Sequence, residues 1–72
     1  MDPRKRFGTN VRRARLSRGW SQERLAEICG LHRTYISGIE LGIRNPSLTN
    51  LVKISDALQV DLCRLLEREP EL

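Results

Sequence analysis

The chain has 72 residues, of which 39% are hydrophobic and 31% are charged, and its formal net charge is +4. This length favours one domain with a single core of a few helices, and it argues against most enzymes. No apolar run approaches the roughly 18 residues that cross a bilayer, and the first residues lack the apolar stretch of a signal peptide, so we expect a cytoplasmic protein without a membrane partner.

The first predicted helix covers about residues 4–18 and carries most of the positive charge. Phe7, Val11 and Ala14 recur at helical spacing between a proline and a glycine, which indicates an amphipathic helix. The basic residues of this segment are Arg4, Lys5, Arg6, Arg12, Arg13, Arg15 and Arg18. Such a concentration fits a surface that meets phosphates, although a solvated basic helix explains it equally well without a further motif.

The second predicted helix begins after Ser21, whose hydroxyl can accept a hydrogen bond from a free backbone amide. Trp20 and Leu25 flank this cap with the spacing of a hydrophobic staple, and the helix runs to about Cys29. Gly30 suits the left-handed conformation that ends a helix and redirects the chain. A helix of about eight residues followed by a tight turn is therefore expected.

The third predicted helix follows that turn and covers residues 33–40. Ile36 and Ile39 face the core in this pattern, and His32 stands at the N-cap position. The outward face consists of Arg33, Thr34 and Ser37. Two helices joined by a short turn, the second with a polar outer face, are the arrangement that enters a DNA major groove. Ala26 is small enough to let the two helices approach closely at their crossing.

Two more helices are predicted after a loop marked by glycine, asparagine and proline. Ser47 is the expected cap of the fourth helix, and Asp61 is the expected cap of the fifth. The inward stripe of the fourth helix is predicted to be Leu48, Leu51, Ile54, Ala57 and Leu58. No strand signal competes, so the fold class is all-α, with five short helices in one domain over residues 1–72.

Cys29 and Cys63 lack a Cys-x-x-Cys motif, and the chain has one histidine. Because a zinc site needs a set of such ligands at short spacing, no metal site is expected. Both cysteines lie in apolar helical patterns, so we predict free thiols that are buried or half-buried. We expect no cofactor and no small-molecule ligand.

Three runs and one glycine carry a family resemblance: Trp20-Ser21-Gln22-Glu23-Arg24-Leu25-Ala26, Gly30, Tyr35-Ile36-Ser37-Gly38-Ile39-Glu40 and Arg44-Asn45-Pro46-Ser47-Leu48. They resemble the phage Cro and repressor family, also called the xenobiotic-response-element family. Within that family, the run over residues 33–40 is similar to the controller proteins of restriction-modification systems. The resemblance implies a compact, lambda-repressor-like DNA-binding domain with its helix-turn-helix at about residues 21–41.

The resemblance also implies roles for single side chains in binding double-stranded DNA. The base-reading residues would be Arg33, Thr34, Ser37 and Arg44, and the backbone contacts would come from Gln22, Tyr35 and Asn45. An arginine near a helix N-terminus can donate two hydrogen bonds to guanine O6 and N7, and a threonine can offer its hydroxyl to a base or its methyl group to thymine. Arg44 has the alternative of being an ordinary solvated loop residue.

One ion pair is expected to be structural rather than to touch DNA. Relatives pair an arginine of the first helix with a glutamate at the end of the recognition helix, and Arg15 and Glu40 are the matching residues here. Loss of either partner would leave the other charge stranded in a partly buried place. His32 departs from the pattern, since many relatives carry threonine or serine there.

A homodimer on a pseudo-palindromic operator is expected, because a single short helix reads too few base pairs to find one site in a genome. The dimerisation region is predicted at about residues 58–68. Its interface residues would be Leu62, Leu65 and Leu66, which supply more apolar surface than a short helix needs, although all three could instead close the core of one chain.

RNA polymerase is a further candidate partner of the predicted regulator. Relatives that activate transcription touch the polymerase through acidic residues on the second helix, and Glu23 and Glu27 are the predicted exposed acids there. The same two residues could equally serve solubility.

The predicted function is that of a DNA-binding transcription regulator, an autoregulatory controller protein of a restriction-modification system. An antitoxin-type or phage-type repressor, whose main partner is another protein, is the alternative on the same fold. A nucleic-acid enzyme would need a carboxylate cluster, a metal set or a nucleophile-base pair, and the sequence shows no such motif.

Overall fold

The computed structural model describes residues 2–68, which form five α-helices. In chain order they are α1 (Pro3–Ser17), α2 (Gln22–Cys29), α3 (Arg33–Glu40), α4 (Leu48–Leu58) and α5 (Leu62–Leu65). The part of the chain described contains no strand, and none of its helices is long and apolar enough to span a membrane. The prediction of an all-α, five-helix fold is confirmed.

Side-chain caps begin α1, α2, α4 and α5. The capping residues are Asp2, Ser21, Ser47 and Asp61, each of which accepts a hydrogen bond from a backbone amide two or three residues ahead. Within residues 2–68, α3 starts differently: His32 occupies the N-cap position, but its ring makes no hydrogen bond to the helix backbone. The ring Nδ1 lies 3.3 Å from the Thr34 hydroxyl instead.

The core is formed by apolar side chains from all five helices. It consists of Phe7, Val11, Leu25, Ala26, Cys29, Ile36, Ile39, Ile54, Leu58 and Leu65. Burying each large aliphatic side chain contributes about 1.5–3 kcal/mol, and this burial holds short helices that would not persist alone. The predicted inward face of α3, Ile36 and Ile39, is therefore part of the core.

Two predictions of burial are wrong, one in α4 and one in α5. Leu48 is 72% exposed, whereas it was expected in the inward stripe of α4. Side chains in a helix lean toward its N-terminus, so a residue at the first position projects past the end of the helix. Cys63 is exposed, because the short α5 turns Leu65 toward the core and leaves Cys63 facing solvent. Cys29 is a buried free thiol, as predicted.

The backbones of α1 and α3 cross in direct contact at Gly8. A Cβ atom at this position would overlap the carbonyl oxygens of Ile39 and Glu40, so any larger residue would push the two helices apart. At the other side of α1, Asn10 Nδ2 donates hydrogen bonds to the carbonyl oxygens of Leu65 and Glu67, both at 2.8 Å. The first helix is thus the element that joins α3 to α5.

Candidate nucleic-acid interface

The turn between α2 and α3 is short, and the amides of its first two residues are hydrogen-bonded to the end of α2. Gly30 adopts φ 71°, a left-handed conformation that suits glycine. The Gly30 and Leu31 amides donate to the carbonyl oxygens of Glu27 and Ala26 at 3.3 and 2.9 Å. Ala26 is buried where the helices meet. These contacts fix the direction in which α3 leaves the turn.

The first turns of α3 present polar side chains to solvent. Arg33 and Thr34 are exposed, and Ser37 is half-buried one turn after Arg33. Ile36 and Ile39 point the opposite way, into the core. We call Arg33, Thr34 and Ser37 the outer face of α3. It offers a guanidinium group and two hydroxyls, which can both donate and accept hydrogen bonds.

The inner side of α3 ends in a buried ion pair. Arg15 Nε and Nη2 donate to the two carboxylate oxygens of Glu40 at 2.7 and 2.9 Å, and the two side chains are 7% and 2% exposed. Arg15 Nη1 donates to the Trp20 carbonyl oxygen at 2.7 Å. The hydrogen bond to Glu40, with the attraction between the charges, raises the pKa of Arg15. The pair ties α1 to α3 and keeps Arg15 away from the surface.

Gln22, at the start of α2, is held by the same carboxylate. Its Nε2 atom donates to Glu40 Oε1 at 3.1 Å, and the side chain is half-buried. A side-chain amide nitrogen carries two hydrogens, so one N–H is used inside the protein. Gln22 is therefore oriented by the ion pair that also orients α3.

The loop after α3 is fastened to Gly38. The Ile43 and Arg44 amides both donate to the Gly38 carbonyl oxygen, at 3.0 and 3.2 Å. Arg44 is exposed, and its guanidinium carbon lies 5.8 Å from the centre of the Tyr35 ring. Asn45, the next residue, is also exposed. The loop that follows α3 thus carries two exposed polar side chains, Arg44 and Asn45.

The other predicted site residues lie on different elements. Glu23 and Glu27 are exposed on α2, and Glu27 accepts a hydrogen bond from Arg24 at 2.9 Å. On α5 and just after it, Leu62 is half-buried and Leu66 is 41% exposed. Leu65 is 2% exposed, so the expectation that it offers surface to a partner is corrected.

Several residues that shape the site were not singled out from the sequence. Gly8 and Gly38 stand inside helical patterns, and an isolated glycine in a helix is a signal for close packing that could have marked both. Asn50, whose Nδ2 atom donates to the Tyr35 hydroxyl at 3.0 Å, gives no such signal. Its partner lies 15 residues away and comes close through the tertiary fold.

The comparison with protein families agrees with this geometry. Residues 11–65 match the model of the helix-turn-helix family. The chain belongs to this family. It is 58% identical over 62 residues to the control protein C.BamHI of Bacillus amyloliquefaciens. This alignment covers 85% of this chain and 76% of the relative. The predicted family, and the likeness to restriction-modification controllers within it, are confirmed.

Solved structures show the same fold. The restriction-modification controller protein C.AhdI from Aeromonas hydrophila is similar with a TM-score of 0.83 and 42% identity, over 86% of this chain and 94% of that one. SinR, the master regulator for biofilm formation, was crystallised in complex with DNA. It is similar with a TM-score of 0.80 and 35% identity, over 85% of this chain and 98% of that one.

Proposed function

We propose that the chain is a sequence-specific DNA-binding transcription regulator of the controller type, acting in the cytoplasm by binding alone, without a cofactor or a catalytic step. The observation that carries this proposal is the placement of α3. Its outer face is open to solvent, while Arg15 and Glu40 lock its inner side. The likeness to C.BamHI and C.AhdI supports the controller role, and the likeness to SinR in its DNA complex supports DNA as the partner.

In the proposed complex, α3 enters the major groove with its N-terminal turn toward the base edges. Arg33 donates two hydrogen bonds to a guanine, and Thr34 and Ser37 offer hydroxyls to neighbouring bases. Arg44 reaches DNA from the loop after α3. These side chains carry the sequence preference, because the hydrogen-bonding pattern in the major groove differs for each base pair.

Contacts to the DNA backbone would set the position of α3 in the groove. We assign them to Gln22, Tyr35 and Asn45. Gln22 is held by Glu40 through one N–H, and its other N–H is the proposed donor to a phosphate oxygen. Such contacts fix orientation but carry little sequence information.

The proposed active form is a homodimer that binds two half-sites with centres about 34 Å, or one helical turn of DNA, apart. Leu66 and the accessible part of Leu62 are its proposed contact residues, within a dimerisation region at about residues 58–68. Occupancy of the operator would then follow the concentration of the chain itself. Glu23 and Glu27 remain the proposed contacts to RNA polymerase if the bound dimer activates transcription.

Selection from a pool of duplexes with a random central sequence tests this function. The wild-type chain should enrich a pseudo-palindromic sequence, and sedimentation should find two chains on each enriched duplex. On that duplex, Arg33→Ala should weaken binding by about 1–3 kcal/mol, with a much smaller loss on a shuffled duplex, because a base contact is lost. Fluorescence anisotropy of labelled duplexes at a fixed salt concentration measures both.

The matched control is Lys53→Ala, which removes one positive charge from an exposed side chain of α4. It should reduce affinity for both duplexes alike and only slightly, because a cation that does not belong to the outer face of α3 contributes only to the general attraction for phosphates. If Arg33→Ala showed the same equal losses, Arg33 would not read bases. If the wild-type chain enriched no sequence at all, the proposed function would be wrong.

A further inference from the structure

The side chain of Arg44 lies across the backbone of α3 at Gly38. A Cβ atom added to Gly38 would lie 2.5 Å from Cγ of Arg44, and 3.5 and 3.4 Å from its Cδ and Nε atoms. Gly38 points away from the core residues Ile36 and Ile39, yet it is buried, because Arg44 covers it. The stem of Arg44 thus occupies the space that any side chain at position 38 would fill.

The base of the Arg44 side chain has little freedom to move aside. Its backbone amide donates to the Gly38 carbonyl oxygen at 3.2 Å, and the preceding Ile43 amide donates to the same oxygen at 3.0 Å. Cγ is only the second carbon from this anchored backbone. A methyl group at position 38 would therefore force the Arg44 side chain into another rotamer, rather than shift it slightly.

The far end of Arg44 rests on a ring that is itself held in place. The guanidinium carbon lies 5.8 Å from the centre of the Tyr35 ring, within the range of a cation–π contact. The Tyr35 hydroxyl accepts a hydrogen bond from Asn50 Nδ2 at 3.0 Å, in a partly buried place. Asn50 lies in α4, so this bond connects α3 to the next helix.

We propose that Gly38 and Asn50 are positioning residues that hold Arg44 beside the outer face of α3 before DNA binds. Gly38 lies one turn after Thr34 on the same side of the helix, so the Arg44 side chain that covers Gly38 lies next to the outer face of α3. The inference rests on the proposed DNA-binding function. It adds an explanation of how Arg44, a loop residue, is held at a fixed position beside α3.

Prior ordering matters for binding because a long side chain that is free in solution must lose its rotamer freedom when it contacts DNA. In this arrangement, the protein restricts Arg44 in the free state. A side chain at position 38 that fills the space now occupied by Arg44 should therefore reduce affinity for the enriched duplex. This loss is expected even though every DNA-contacting side chain is still present.

Gly38→Ala is the decisive variant. Position 38 lies inside α3 and its φ is not positive, so alanine fits the backbone and raises helix propensity. The variant should fold with a thermal midpoint at or above that of the wild-type chain. It should bind the enriched duplex about 3- to 10-fold more weakly, while Arg44→Ala should bind about 10-fold more weakly.

A double-mutant cycle separates positioning from a general structural role. In the Arg44→Ala background, Gly38→Ala should cause no further loss, because the side chain that it displaces is already absent. Asn50→Ala should weaken binding by about 2- to 5-fold in the wild-type background and by less in the Arg44→Ala background, where only its effect on the Tyr35 contact to the DNA backbone remains. Equal losses in both backgrounds, or wild-type affinity for Gly38→Ala, would overturn the inference.

A measurement on the free protein gives an independent readout. In the proton NMR spectrum, the side-chain protons of Arg44 should be shifted upfield by the Tyr35 ring, and Gly38→Ala should return them to ordinary values. An unchanged shift in the variant would overturn the inference. Failure of the wild-type chain to enrich any duplex would overturn the proposed function and this role together, whereas normal enrichment with unaltered Gly38→Ala binding would overturn the positioning role alone.

Discussion

The contacts of α1 with α3 and with α5 differ in kind. At the α3 side, the helix backbones touch at Gly8, and a buried ion pair joins Arg15 to Glu40. At the α5 side, Asn10 donates two hydrogen bonds to carbonyl oxygens at the end of a helix that has four residues. Separating a buried charge pair is costly, because each charge is then left buried without its partner. A four-residue helix that is held by one side-chain amide can instead open locally. We therefore expect the fold to open less readily behind the proposed DNA-reading helix than at α5.

The largest expected effect comes from breaking the buried pair. Glu40→Ala leaves the guanidinium of Arg15 buried without its carboxylate, so the free energy of unfolding should fall by about 3–5 kcal/mol. Urea denaturation followed by circular dichroism measures it. Glu27→Ala is the matched control, because it breaks an ion pair with Arg24 whose side chains are 55% and 73% exposed. That variant should lose about 0.5 kcal/mol or less. Equal losses for the two variants would contradict the contrast between a buried and an exposed pair.

A smaller effect is expected at the α5 side. Asn10→Ala removes two hydrogen bonds and leaves two carbonyl oxygens at the end of α5 without that donor, which should cost about 1–2 kcal/mol. Amide hydrogen exchange should accelerate at residues 64–67 more than in α3, because the lost contacts hold α5. Asn45→Ala makes the same chemical change on an exposed loop and should leave exchange unaltered. Uniform acceleration over all helices would show that α5 does not open by itself.

The smallest effect should be a gain in stability at the junction of α4 and α5. Gln59 adopts φ 55° and ψ 39°, a left-handed conformation that strains a residue with a Cβ atom. Gln59→Gly relieves this strain and should raise the unfolding free energy by about 0.5–1 kcal/mol, after the entropy cost of glycine is included. Thermal denaturation of the variants measures this gain. Gln59→Ala keeps the Cβ atom and should show no such gain. A loss of stability in Gln59→Gly would indicate that the Gln59 side chain makes a contact that stabilises the fold by more than the backbone strain destabilises it.

The helices and the outer face of α3 could be predicted because their determinants are local. Ser21 and Ser47 cap helices with amides three residues ahead, and Gly30 ends α2 by its own conformation. Helical periodicity places Arg33 on the solvent side of α3 and Ile36 on the core side. Leu48 was placed wrongly because periodicity describes direction around a helix, and it does not show where the neighbouring elements stop.

By itself, the amino-acid sequence determined the order of the five helices, the residues that cap α2, α4 and α5, the side of α3 that faces solvent, and the family to which the chain belongs. Only the tertiary structure decided that Arg44 lies in a groove at Gly38, that Asn10 reaches α5, and that Leu65 fills the core. For Asn10, the physical reason is distance along the chain. Asn10 and the residues it binds are separated by 55 and 57 positions, so their contact depends on how whole helices pack and not on any short pattern.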